Sequence, residues 1–207
     1  MNNKSTSAAS YMALEKTLGF DRHLPVTKDW SAAADFLKMI ADYSVANRPE
    51  TIVECSSGTS SLVLSRCCQL NKCGHVYSLE NGEQFVGQTQ HQLDDFLLSD
   101  YCDVIHAPLH AVRLADETFE WYELKDFAID KIDLLVIDGP PGFIQKHSRY
   151  PALPLLYDRL ADRCAVFLDD AARDDEQEVV RLWLQMYPEL QAEYIDNERG
   201  CFILRRG

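Results

Sequence analysis

Nothing in this sequence approaches the roughly 20-residue apolar run that crosses a bilayer as a helix. The polar start, Met1 to Ser10, has no hydrophobic core of the kind a secretory leader carries. Basic residues are scarce: 20 Lys and Arg face 33 Asp and Glu, a formal net charge of −13. Nucleic acids and anionic membrane surfaces are held by positive patches, so neither is expected as a partner. A G-x-G-x-x-G run is missing, which speaks against a dinucleotide site, and so is any C-x-x-C pair, which speaks against structural zinc. The seven cysteines are odd in number and fall mostly in apolar stretches, as expected of reduced, buried thiols in a cytoplasmic protein.

What is present is a chain of 207 residues, 46% hydrophobic, long enough for one domain with its own core. Residues 1–24 are expected to form an N-terminal extension, the first ten a disordered tail, and 25–207 the domain. Apolar residues at helical spacing (Phe36, Leu37, Ile40, Ala41) predict a helix from Trp30 to Val45, capped by Ser31 and ended at Arg48-Pro49. Short apolar runs at 51–56, 75–80, 102–106, 132–137 and 164–168 read as strands. Helical patterns lie between them, one with Phe85, Val86, Leu93, Phe96 and Leu97 along a single face and another over 151–162. Residues 110–130, acidic and aromatic, mix loop with a short helix or strand. The end reads as a helix over 174–186 and then a hairpin, 190–195 with 201–205. Strands alternating with helices imply an α/β fold: a Rossmann-like, doubly wound, mostly parallel sheet of seven strands with a C-terminal antiparallel hairpin.

The informative stretch runs from Thr51 to Ser61, T-I-V-E-C-S-S-G-T-S-S. A β-branched run breaks into small residues able to turn tightly, and helical periodicity follows, with Thr59 or Ser60 placed to cap the helix. A strand, a tight turn and a helix N-terminus make a nucleotide-sized docking point. Glu54 departs from a phosphate loop, since a carboxylate there repels pyrophosphate and attracts an amino group or a sulfonium. The stretch resembles motif I, E-x-G-x-G, of class I S-adenosylmethionine-dependent methyltransferases, with Glu54, Ser56 and Gly58 in the key places and Ser56 replacing the first glycine. The runs W-S-x-x-x-D-F-L, I-D-G-P-P-G, R-Y-P-A-L-P and L-D-D-A-A-R, from Trp30 to Arg173, look like a bacterial group of methyltransferase-like proteins.

That resemblance implies S-adenosylmethionine as cofactor. Glu54, Ser56, Gly58, Ser60, Glu80, Asn81, Ala107 and Asp138 would bind it, Glu54 attracting its amino group or sulfonium and Glu80 accepting both ribose hydroxyls. The backbone of Ala107 would meet the adenine. It also implies a divalent metal: Asp138, Asp169 and Asp170 look like the Mg²⁺ ligands of catechol-type O-methyltransferases. The basic residue expected soon after the first acid is absent, and Lys146 or His147 could replace it as base. Asp138, Lys146 and His147 are thus the catalytic candidates. Trp30, Arg149, Tyr150 and Arg173 are candidates for the acceptor pocket, although core packing is the stronger reading of Trp30. The expected activity is methylation of a small-molecule acceptor, with oxygen favoured. The alternatives are a non-catalytic S-adenosylmethionine-binding or regulatory protein of the same fold and, more distantly, a nicotinamide-dependent oxidoreductase. A homodimer is compatible with the sequence, which does not set the oligomeric state.

Overall fold

Each short apolar run between turn residues becomes one strand, because a five- or six-residue β-branched segment is buried best in the middle of a sheet. A computed structural model describes residues 8–28, 30–125 and 127–206. Strands β1 (Thr51–Cys55), β2 (His75–Glu80), β3 (Cys102–His106), β6 (Ile132–Ile137) and β7 (Leu160–Leu168) run parallel. The last two, β8 (Leu190–Ile195) and β9 (Cys201–Arg206), form the hairpin, and β9 is antiparallel to β7. The order is β3-β2-β1-β6-β7-β9-β8, seven strands as expected. The ambiguous stretch resolves into a separate two-stranded sheet, β4 (Leu109–Leu114) against β5 (Glu117–Tyr122). Its Trp121 and Tyr122 are fully buried, so the adjacent aromatics belong to the core.

Helices α1 (Ala8–Leu18), α2 (Ala34–Asn47), α3 (Thr59–Asn71) and α4 (Glu83–Asp95) contribute to the core on one face of the main sheet. The small sheet, α5 (Ala152–Leu156) and α6 (Asp174–Met186) cover the other. Ala8 to Ser10, expected in a tail, are helical, and Tyr11, Leu14 and Leu18 of α1 enter the core; the rest of that tail, 1–7, lies outside the described residues. Helix α2 begins at Ala34 and not at Trp30, because Ser31 caps nothing; its hydroxyl accepts from the Thr27 N–H at 2.9 Å. On α4 only Thr89 and Leu93 are buried, while Leu97 is 81% exposed beyond the helix end. The helix expected over 151–162 stops at Leu156, since Leu160 already pairs with Ile132 of β6.

All seven cysteines are free thiols and six are buried, with burial pushing Cys67, Cys68 and Cys164 up to about 12. Thiols so disfavoured as thiolates are inert packing groups. Among the described residues no helix is long and apolar enough to cross a membrane.

The chain steps outward through β1, β2 and β3 and returns to place β6 beside β1, so the order reverses between them. Ligands of open α/β sheets bind at the carboxyl ends of the strands flanking such a reversal. Here those ends are Cys55 and Ile137, partners in register, and the residues that follow them are Ser56 and Asp138.

Candidate active site

Beyond those two strand ends lie two adjoining cavities. The first, about 530 Å³, runs under the turn after β1 and is lined by Ser56, Ser57, Ser60, Glu80, Asn81 and Thr89 among others. The second, about 650 Å³, opens between the loop after β6, the start of α6 and the last hairpin. Trp30, Ser56, Asp138, Pro141 and Phe143 face both. Pro25, Thr27, Trp30 and Ser31 wall the first cavity, where Thr59 donates to the Pro25 carbonyl at 2.8 Å and meets the Ser31 hydroxyl at 3.2 Å.

In the first cavity the expected residues fall into two groups. Ser56, Ser60, Glu80 and Asn81 line it. Glu54, Gly58 and Ala107 do not. The Glu54 side chain turns beneath the loop, where Ser61 donates to its Oε1 and Ser78 lies 2.8 Å from the same oxygen, leaving Oε2 buried without a partner. Burial pushes its carboxyl up to about 7, the serine hydrogen bonds pulling the other way. Ala107 is packed in the core, its N–H given to the Glu80 carbonyl at 2.8 Å. The expected cap is different as well. Gly58 precedes the first turn of α3, and its N–H is bound by the Ser61 hydroxyl at 3.0 Å.

Glu80 organises the loop. Its Oε2 accepts from the Ser57 N–H and hydroxyl at 3.1 and 2.9 Å, and its Oε1 accepts from the Gly82 N–H at 2.9 Å. A carboxylate offers about four acceptor positions, so one remains for a ligand hydroxyl. Ser56 stands at φ 95, backbone that glycine adopts freely and a side chain resists. Such strain costs roughly 1–3 kcal/mol. Replacing Ser56 by glycine relieves it but adds about 0.4–1 kcal/mol of unfolded-state freedom. Ser56→Gly is therefore expected to gain about 1 kcal/mol, read as a higher urea midpoint with unchanged slope.

The second cavity is ordered around Arg149, whose side chain is 3% exposed. Its Nη2 donates to Asp170 Oδ2 at 2.7 Å, to the Asp138 carbonyl at 2.8 Å and to Asp138 Oδ1 at 3.1 Å, while Nη1 donates to the Asp169 carbonyl at 2.8 Å. Glu176 lies 3.9 Å from its Nε. Arg173 completes the cluster, 3.0 Å from Asp170 and 3.6 Å from Glu176. Burial, only partly offset by Arg149, pushes the Asp138 carboxyl up to about 6.

The expected metal set does not assemble. Asp138 and Asp170 meet on a guanidinium, which supplies the positive charge that close carboxylates require. Asp169 is fully buried, lines neither cavity, and has both oxygens unpartnered; burial first, then Asp138 and Asp170, raise its pKa well above the carboxylate range. Among the described residues no three His, Cys, Asp or Glu side chains are grouped to hold an ion. The residues therefore do not fit a divalent metal.

Of the candidate bases, Lys146 lines the second cavity and His147 lines neither. His147 is turned to Asp175, which accepts its backbone N–H at 2.7 Å and lies 3.7 Å from its Nε2. Trp30 is 62% exposed with its ring edge-on to Phe143 at 6.3 Å, so it walls the cavities and is not core. Tyr150 packs at the margin of the core. Sequence reasoning missed Phe143 and Arg199. An aromatic inside a proline–glycine loop was a usable signal for Phe143. None existed for Arg199, which arrives through the last hairpin. The turn of that hairpin docks on the chain after β7, Ala171 and Ala172 donating to the Gly200 and Arg199 carbonyls at 2.9 and 2.8 Å. Gly200 is required there: at φ 75, a Cβ would sit 2.3 Å from the Ala172 nitrogen.

Solved structures share this architecture at low identity. A Podospora anserina methyltransferase bound to S-adenosylhomocysteine matches with TM-score 0.67 and 13% identity, over 99% of this chain and 91% of that one. A Bacillus cereus O-methyltransferase in complex with S-adenosylhomocysteine matches with TM-score 0.66 and 14% identity, over 97% and 92%. The Streptomyces achromogenes O-methyltransferase TomG, in complex with S-adenosylmethionine, matches with TM-score 0.64 and 13% identity, over 98% and 91%. No curated protein is similar at a significant level. A family model described as a methyltransferase domain matches residues 53–171, from β1 through both strand ends that frame the cavities to Ala171. The chain thus belongs to the methyltransferase-domain family and has the class I, S-adenosylmethionine-dependent architecture.

Proposed function

We propose that the protein methylates an oxygen of a small molecule, using S-adenosylmethionine, without a divalent metal. The observation that carries this reading is the pair of cavities meeting at Asp138, one sized for a nucleoside and one for an acceptor. The first suits the cofactor: its rim carries Glu80 with an acceptor position to spare, hydroxyls from Ser57 and Ser60, and the amide of Asn81. A Cβ at Gly58 would meet no atom within 4 Å, so the loop leaves its backbone facing open space. The bound cofactor would supply an electrophilic methyl group on a positively charged sulfur.

This chain's residues do the rest. The walls shared by the two cavities align the acceptor oxygen with the methyl group, which is most of what a one-step displacement requires. Trp30 and Phe143 line both cavities at their junction, their rings edge-on at 6.3 Å. Asp138 is the base. Its Oδ1 is held by Arg149, and Oδ2, to which no described residue donates, takes the acceptor's proton.

Glu80 carries the cofactor-binding part. Glu80→Ala removes a ribose acceptor and also frees Ser57 and Gly82, so S-adenosylhomocysteine should bind about 1–3 kcal/mol more weakly by calorimetry. Wild-type affinity in that variant would overturn the assignment. Ser56 supports a second reading, a protein that binds the cofactor without turnover, because its side chain narrows the turn where the family has glycine. Tight S-adenosylhomocysteine binding with no methyl transfer to any hydroxylated acceptor would favour it.

A further inference from the structure

We propose that the second cavity accepts a hydroxylated molecule that also bears a carboxylate, with Lys146 and Arg199 as the carboxylate's anchors. The inference rests on the methyltransferase reading only in naming that molecule as the methyl acceptor.

The protein carries a net charge of −13, yet four cations (Lys146, Arg149, Arg173 and Arg199) line this one cavity. Two of them are spent. Arg149 is enclosed by Asp138, Asp170 and Glu176, and Arg173 is paired with Asp170 and Glu176. Lys146 and Arg199 make no ion pair or hydrogen bond through their side chains with any described residue. The remaining acid, Asp175, accepts the His147 backbone N–H through Oδ2, and its Oδ1 lies 3.7 Å from the ring Nε2. Two cations without an ion pair or side-chain hydrogen bond to any described residue therefore face the cavity, Arg199 acting on Asp138 only through its charge. Such a pair recognises an anion, and it sits beside the wall formed by Trp30 and Phe143, which suits a flat ring.

The placement of Arg199 has a structural cause. Its main chain is clamped to Ala172 by a hydrogen bond of 2.8 Å, and Gly200 allows the close approach, so the side chain is delivered to the cavity from a fixed turn. An arginine whose side chain makes no hydrogen bond or ion pair with any described residue, delivered to a cavity by a fixed turn, is explained by an anionic ligand that the chain itself does not supply.

The test uses a panel of mono- and dihydroxylated benzoates and cinnamates, each paired with its primary amide. Binding is followed through fluorescence quenching, because Trp30 is the exposed tryptophan while Trp121 and Trp183 are fully buried. At least one acid should bind the wild type about tenfold or more tightly than its amide, the worth of a charge-assisted hydrogen bond. Lys146→Gln with Arg199→Gln should abolish that preference without altering amide affinity, and Lys146→Arg should keep it. Equal affinity for every acid and its amide, or a preference that survives the double variant, would overturn the proposal. Titrations run with and without S-adenosylhomocysteine separate the two claims. Failure to bind that ligand would sink the methyltransferase reading, while the acid-against-amide comparison still decides this one.

Discussion

Arg149→Met is expected to destabilise the protein by about 3–5 kcal/mol, the usual consequence of leaving a buried ion cluster without one partner. The guanidinium neutralises Asp138 and Asp170, faces Glu176, and satisfies the carbonyls of Asp138 and Asp169. Methionine fills the volume and returns none of these bonds. The deficit should depend on pH in a defined direction. With the cation gone, the carboxyls repel, and the raised folded-state pKa values of Asp138 and Glu176 climb further above their unfolded ones. An acid whose pKa is raised by folding keeps its stability at low pH and loses it as pH climbs through the folded value. The variant should therefore approach the wild type near pH 4 and fall furthest behind above pH 7, in urea titrations across that range. Added Mg²⁺ or chelator should leave wild-type stability and turnover unchanged. A wild-type response to either would contradict the assignment of the positive charge to Arg149.

Asp138→Asn should lower turnover about 10²–10⁴-fold, the usual contribution of a positioned base. Asparagine keeps an oxygen for Arg149 but cannot take a proton. S-adenosylhomocysteine binding should change by less than tenfold, which separates proton transfer from cofactor binding. Wild-type turnover should rise with pH and level off above about 6, the value to which burial brings the Asp138 carboxyl. The same raised pKa means that ionised Asp138 costs folding stability above that pH. Asp138→Asn should then be at least as stable as wild type at pH 8 while far less active. Full turnover in the variant, or a rate independent of pH between 5 and 7, would remove Asp138 from the reaction.

Much of the fold was legible because period and punctuation agreed. The runs at 51, 75, 102 and 132 became strands with little change at their ends, and the terminal hairpin supplied the antiparallel partner. Where expectations failed, tertiary packing decided. Trp30 looked like the first turn of a helix but belongs to a strap tied to α3 through Thr59, and the acidic 110–130 segment paired with itself over a buried Trp121. At the site, Ser56, Glu80 and Asp138, singled out by strand-end position, line the cavities. Spacing could not reveal which way a side chain turns: Glu54 folds under its own loop and Asp169 into the interior. Nor could it disclose that Arg149, noted as a pocket residue, would stand between two of the supposed metal ligands.

The attachment of the last hairpin has one more implication. Its turn reaches the second cavity, through Arg199, and contributes nothing to the lining of the first. Under the proposed assignment of the two cavities, exchanging those few residues should redirect substrate choice while the donor's berth stays intact, and a library confined to 196–199 is the economical place to seek new acceptors. Gly200, whose missing side chain lets the turn seat, is the position such a library must leave alone.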